Sequence, residues 1–275
     1  MRFCCICVLL LASCVDNQTH LADVQAYDAS AVAAACVPDL NGRIEASELQ
    51  PALGVQASYR VSPAGQPVDV KGYVDDAGHR VWDWSHAATG DALIHISAQP
   101  LANQWYASAF AGGQFVVPFD AAGTLDSIYR QDSEGLWMLG MASSQSAPPE
   151  GKTLLPYADP VAILRFPLQV GATWTSTGKT LAGQGILHGL PFASVDTYVV
   201  HVDASGRLEL PDLTLTQAMR VRTSVTIVPV AGATTTRKQV SFLTECLGEV
   251  ARATSQTAET QEDFSTAAEV RRLSL

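Results

Sequence analysis

From Gln56 to its C-terminus this chain is broken into short runs of alternating apolar and polar residues, separated by glycine, proline and Asp/Ser-rich turns. A side-chain period of two suits a half-buried strand, because successive side chains point to opposite faces. Strands are expected at 56–61, 68–74, 80–86, 92–97, 114–119, 124–130 and 136–141, and again at 161–166, 172–177, 219–230, 234–243, 248–255 and 264–273. The turn Asp75-Asp76-Ala77-Gly78 separates two of them. The clearest hairpin is expected from 197–203 back through 207–210, reversing at Ala204-Ser205-Gly206. The short Ala231-Gly232-Ala233 connection favours antiparallel pairing of its flanking strands. Few helical patterns intervene, so a doubly wound α/β fold is excluded. The expected class is mostly β: an antiparallel curved sheet forming an incomplete barrel or two adjoining sheets, with a short N-terminal helical segment.

A chain of 275 residues can bury a large core as one β domain or two. Five segments are expected: 1–13 as a leader, 14–35 as a tether turning helical in the alanine-rich stretch 29–35, 36–142 as a first β-rich region, 143–159 as a linker or long loop, and 160–275 as a second β-rich region. Only 16% of residues are charged, against roughly 25% in typical soluble domains. The net charge of -10 and the lack of a concentrated Lys/Arg surface argue against nucleic acid and against broad attachment to anionic lipid.

The leader is a different kind of sequence. Met1-Arg2 is followed by an apolar run over residues 3–12, far short of the roughly 20 residues needed to span a bilayer as a helix. The run ends in Leu11-Ala12-Ser13-Cys14, which resembles the export signal of bacterial lipoproteins. That resemblance implies cleavage before Cys14, a diacylglycerol on its thiol, and a membrane as partner through the lipid. Val15 followed by Asp16 is unlike the inner-membrane retention signal, which implies an outer-membrane lipoprotein facing the periplasm or the cell surface. Further on, Phe166-Pro167-Leu168-Gln169-Val170-Gly171-Ala172-Thr173-Trp174 and residues 242–255 resemble uncharacterised envelope lipoproteins of deltaproteobacteria such as the myxobacteria. More loosely, they resemble the half-barrel carriers of lipoproteins. The resemblance implies a concave apolar surface and carries over no catalytic residue.

Cysteine usage points the same way. Cys4, Cys5 and Cys7 would leave with the leader, and lipid would consume Cys14. Cys36 and Cys246 remain, and an oxidising compartment favours a disulfide between them, with two separately buried thiols as the alternative.

Three groups of residues could carry chemistry. Asp39, Asn41, Gly42, Ile44 and Glu48 resemble part of an EF-hand calcium loop, making calcium the one candidate cofactor. The loop's first liganding place falls on Val37, however, and a turn entering a short helix accounts for the same residues. Trp82, Trp84 and His86 share one face of an expected strand, where they could line a ligand groove or pack a core. Ser176 and Lys179 fit a loose Ser-x-x-Lys pattern without its companion motifs. The histidines His20, His79, His86, His95, His188 and His201 form no metal-binding motif, so no other metal site is expected. The functional expectation is therefore a non-catalytic, lipid-anchored envelope protein that binds a hydrophobic ligand or an envelope protein. The alternative is an extracytoplasmic hydrolase with catalytic residues assembled from distant strands.

Overall fold

A computed structural model describes residues 36–275 of the chain, and Cys36–Leu275 forms one compact unit. The leader, Cys14, the tether and the helical stretch expected at 29–35 lie outside the described residues. The strands begin short: β1 (Arg43–Ile44), β2 (Gln56–Ser62), β3 (Gln66–Pro67), β4 (Tyr73–Val74), β5 (Arg80–Asp83), β6 (Ala92–Ser97) and β7 (Gln99–Pro100). A meander follows in β8 (Phe115–Pro118), β9 (Leu125–Gln131), β10 (Gly135–Ser143) and β11 (Leu154–Arg165). Next come β12 (Leu168–Gln169), β13 (Thr173–Lys179), β14 (Ile186–Leu187) and β15 (Leu190–Pro191). The chain closes on β16 (Ser194–Glu209), β17 (Thr214–Pro229), β18 (Thr235–Thr244), β19 (Gly248–Ser255) and β20 (Thr266–Ser274).

These strands form open, adjoining sheets that do not close into a barrel. A seven-stranded sheet runs β15-β14-β11-β10-β9-β8-β7. An eleven-stranded sheet runs β4-β5-β16-β17-β18-β19-β20-β2-β6, with β13 added beside β16 and β3 beside β20. β1 and β12 make a separate two-stranded ribbon. Among the named strands of the described residues the β5–β16 pairing alone is parallel. The mostly-β class and the adjoining-sheet architecture are those the alternation implied.

The expected hairpin at Ala204-Ser205-Gly206 is not there. β16 runs through it without reversing, 16 residues long, and stays paired with β17. Register shifts between Val202 and Ala204 and between Gly206 and Leu208 absorb the irregularity. Gly206 is small for another reason: a Cβ there would sit 2.4 Å from the Arg80 carbonyl oxygen, where β5 crosses to join β16. A glycine inside a strand marked a bulge and a close backbone approach, not a turn. Two other strands shrink. The stretch 68–74 is extended only at Tyr73–Val74, and 80–86 only at Arg80–Asp83. The segment 143–159 is a hairpin connection whose second part already belongs to β11, which pairs with β10.

One face of the large sheet is buried along β16, β17 and β18, and the other is buried only toward the β18–β19 turn. On one side Tyr198, Val200 and Val202 of β16, Met219 and Val221 of β17, and Leu243 of β18 pack with Val161, Leu164 and Trp174. On the other, Val240 and Phe242 of β18 and Ala251 and Ala253 of β19 pack with Trp82, Trp84 and Phe264. The strict alternation of β16, with Asp196, Tyr198, Val200 and Val202 inward and Val195, Val199 and His201 outward, is what makes this possible. Burying one such large side chain contributes about 1.5–3 kcal/mol. A third cluster, Tyr106, Phe110, Val116, Ile128 and Leu139, fills the far side of the smaller sheet.

Charged groups fasten the sheets at two places. Asp203 accepts from Arg220 Nε at 2.8 Å and from Arg220 Nη2 and Arg222 Nε, each at 2.7 Å. Burial pushes the Asp203 carboxyl up, but the hydrogen bonds from both arginines outweigh it and hold the group below its ordinary range. Arg220 also donates to the carbonyls of Val70 and Lys71 and lies over the Trp82 ring, tying the N-terminal half to β17. At the second place, Arg271 Nη2 donates to the Phe119 carbonyl at 2.7 Å, and the Ala121 N–H donates to Glu269 at 3.1 Å. These bonds join the β8–β9 turn to β20.

Cys36 and Cys246 form a disulfide across a sequence separation of 210 residues, linking the start of the described chain to the β18–β19 turn. In the chain-entropy account a loop this long stabilises by about 5 kcal/mol at most. Replacing both cysteines by serine is expected to lower the urea midpoint and to steepen the slope, since the unfolded chain is no longer held compact; an unchanged midpoint and slope would show that the bond does not constrain the unfolded chain.

Candidate functional site

The disulfide draws three carboxylates together. Asp39 precedes the turn into β1, Glu48 closes the short 3-10 helix Ala46–Leu49, and Glu245 stands beside Cys246. One oxygen from each lies within 4.8 Å of the others. Backbone bonds hold the arrangement. Leu40 N–H donates to Glu245 Oε2 at 2.9 Å, Cys246 N–H donates to the Glu48 carbonyl at 2.9 Å, and Glu45 N–H donates to Glu48 Oε2 at 2.7 Å. At this spacing each pair of like charges repels by about 1 kcal/mol even in bulk water. No Lys or Arg of the described residues pairs with any of the three. The cluster can therefore hold a metal ion through carboxylate oxygens. Among the described residues no other group of three or more His, Cys, Asp or Glu side chains is close enough to do so.

Two members of the trio were visible as an EF-hand fragment, and one was not. Asn41 stays outside it: its amide donates to Asp39 Oδ2 at 2.8 Å, and its own oxygen accepts the Arg43 N–H. It is a turn residue. Glu245 replaces it from far along the chain, and the only sequence clue was its neighbour Cys246.

Trp82, Trp84 and His86 separate. Trp82 has no exposed surface and meets Phe242 at 4.8 Å, while Trp84 meets the same ring edge-on at 5.0 Å. The Trp84 indole donates to the Asp69 carbonyl at 2.8 Å. Both rings belong to a core and present no face to a groove. His86 is exposed, with Nδ1 3.8 Å from Asp83. Ser176 sits on β13, where its Oγ accepts the Ala162 N–H at 2.9 Å, a structural use of that hydroxyl. Lys179 ends the same strand.

The described residues include open concavities. One, of about 620 Å³, is lined by Glu45, Ser47, Gln50, Gln114, Gln131 and Asp132. Another, of about 530 Å³, is lined by His79, Arg80, Ser205, Arg207, Thr216 and Gln217. Both present chiefly polar side chains.

An unexpected feature is an exposed face on β13, β16, β17 and β18. Cross-strand rows run Thr175–Val199–Ser224–Lys238 and Thr177–Thr197–Thr226–Thr236, and Lys179–Val195–Val228 forms a third. Thr173, Thr175, Thr177, Val195, Val199 and Val228 are exposed. The alternation in Thr173-Trp174-Thr175-Ser176-Thr177 was its signal: tryptophan inward, threonine outward.

Beneath this face lies a buried carboxyl. The Tyr157 hydroxyl donates to Asp196 Oδ2 at 2.6 Å, and the Tyr198 hydroxyl lies 3.4 Å from that of Tyr157. Asp196 Oδ1 has no partner. Burial pushes the Asp196 carboxyl up, more than the Tyr157 hydrogen bond lowers it. A second such pair, Tyr106 donating to Asp126 at 2.6 Å, stands in the smaller sheet, and burial raises Asp126 as well.

The chain matches no protein-family model, no curated protein and no solved structure.

Because its folded pKa is raised, Asp196 favours the folded state most below the ordinary carboxylate range, and that contribution is lost as pH rises through the folded value. Asp196→Asn keeps an oxygen for Tyr157 and carries no charge. The variant is expected to gain stability relative to the parent as pH rises from about 4 to neutrality. Urea melts across that range would show a pH-independent difference if Asp196 were not titrating inside the fold.

Proposed function

We propose that this chain is a lipoprotein of the outer membrane, anchored through lipid on Cys14, whose β domain faces the periplasm or cell surface and binds an envelope protein without catalysis. The observation that carries the binding half is the exposed Thr/Val face. Val195 lies opposite Val228, and Val199 stands four residues along β16, all exposed on adjacent strands. Such a surface suits another protein better than a small hydrophobic ligand, since Trp82 and Trp84 are enclosed in a core and both concavities are open to solvent. The leader and the single cysteine at its end support the anchoring half. Two or three acyl chains hold a protein stably where one gives marginal attachment.

The native protein extracted from membranes supplies the test. Its intact mass is expected to include acyl groups, which Cys14→Ala removes. Val199→Lys with Val228→Lys is expected to retain the acyl mass and lose a partner cross-linked to the parent. A mature chain without lipid at Cys14 overturns the anchor, and a partner held equally by the double variant overturns the binding face.

The carboxylate trio supports calcium as its ion. Three oxygen-only ligands match a hard cation, and they come from segments that the disulfide holds in place. With few ligands the site is expected to bind in the weak range of extracellular modules, about 10⁻⁴–10⁻³ M. Calorimetric titration of the full chain with calcium is expected to show one site, weakened by Glu245→Gln. Equal heats for parent and variant would remove the ion from this site.

A further inference from the structure

The same end of the domain carries an apolar surface that the fold does not use. Val37 is 77% exposed, Leu247 55%, Leu40 51% and Val170 49%. They come from three segments gathered in one place. Val37 follows Cys36, Leu247 follows its disulfide partner Cys246, and Leu40 is held through its N–H on Glu245. Val170 extends the short strand whose Gln169 pairs with Arg43. Leu40 has φ 54° and Cys246 φ 66°, left-handed conformations that side chains other than glycine, asparagine and aspartate seldom adopt. An apolar side chain is thus presented to solvent on a backbone conformation held by specific bonds.

We infer that this rim of Val37, Leu40, Val170 and Leu247 around the Cys36–Cys246 disulfide rests on the lipid surface, so that the domain sits with its β18–β19 turn toward the membrane. The inference builds on the anchor at Cys14. The chain that carries the anchor joins the domain at Cys36, beside the rim. Cys14 is 22 residues before Cys36, a span of at most about 75 Å when fully extended, so the bilayer is always within reach. Apolar side chains enter the headgroup boundary when they are brought to it. The nearby Asp39, Glu48 and Glu245 set the kind of surface: their charge opposes anionic headgroups and leaves a zwitterionic lipid favoured. Val195, Val228 and Val230, also exposed, lie toward the β17–β18 turn. β18 is 10 residues long, so its two ends are about 33 Å apart. One orientation buries the first group and leaves the second free for a protein.

Amide hydrogen exchange on the full lipidated chain in phosphatidylcholine vesicles tests the orientation, with the Cys14→Ala chain in solution as reference. Exchange over 39–42 and 245–248 is expected to slow several-fold on vesicles, with 228–235 unchanged. The variant Val37→Asn, Leu40→Asn, Leu247→Asn keeps a residue that tolerates φ 54° at position 40. It is expected to stay on the vesicles and lose the protection. Vesicle-bound protein with no protection at the rim, or with protection at 228–235 instead, overturns the orientation while the anchor stands. A parent chain that matures without lipid at Cys14 and never associates with the vesicles overturns the anchor and, with it, the orientation.

Discussion

Burial on both sides of β16, β17 and β18, toward one end of the eleven-stranded sheet, is the constraint on which this structure depends. There the three strands divide their side chains between two cores, one shared with the smaller sheet and one with the N-terminal segment around Trp82 and Trp84, and β19 and β20 add to the second. The strands cannot slip by one residue, because a slip would exchange every inward side chain for an outward one. Along β18, Phe242 faces one core and Leu243 the other, and a register shift lies between them. Ordinary alternation is enough to let consecutive residues serve different layers.

The polar groups taken inside are handled in two ways. Arg220, Arg222 and Asp203 form a paired network in which every close bond has a charged member, and charge-assisted bonds of this kind are about twice as strong as neutral ones. Asp196 and Asp126 instead have tyrosine hydroxyls as partners and no cation, so burial leaves them shifted toward the neutral acid. The first arrangement ties separate parts of the chain together. The second makes the sheets responsive to proton concentration.

Much of the fold was legible in alternation. The pairing of β17 with β18 followed from a three-residue connection, and the β class from the scarcity of helical patterns. Ala204-Ser205-Gly206 misled, because turn composition and bulge composition are alike and only the crossing of β5 distinguishes them. Trp82 and Trp84 read equally as groove or core, since period two gives the face of a strand and not what covers it. In the acidic cluster Asp39 and Glu48 were visible through local spacing. Glu245 was hidden by distance along the chain, as was the Thr/Val face, whose rows exist only once four strands are in register.

The disulfide makes the stretch from Cys36 to Cys246 a covalent ring. Surface loops with small polar residues, such as that near Ser144–Pro149, are where proteases cut first. A single cut anywhere in the ring breaks the backbone without parting the molecule, since both fragments remain joined through sulfur. Shedding the domain from whatever holds its N-terminus would require a cut before Cys36, so the bond at the domain's edge decides which nicks matter.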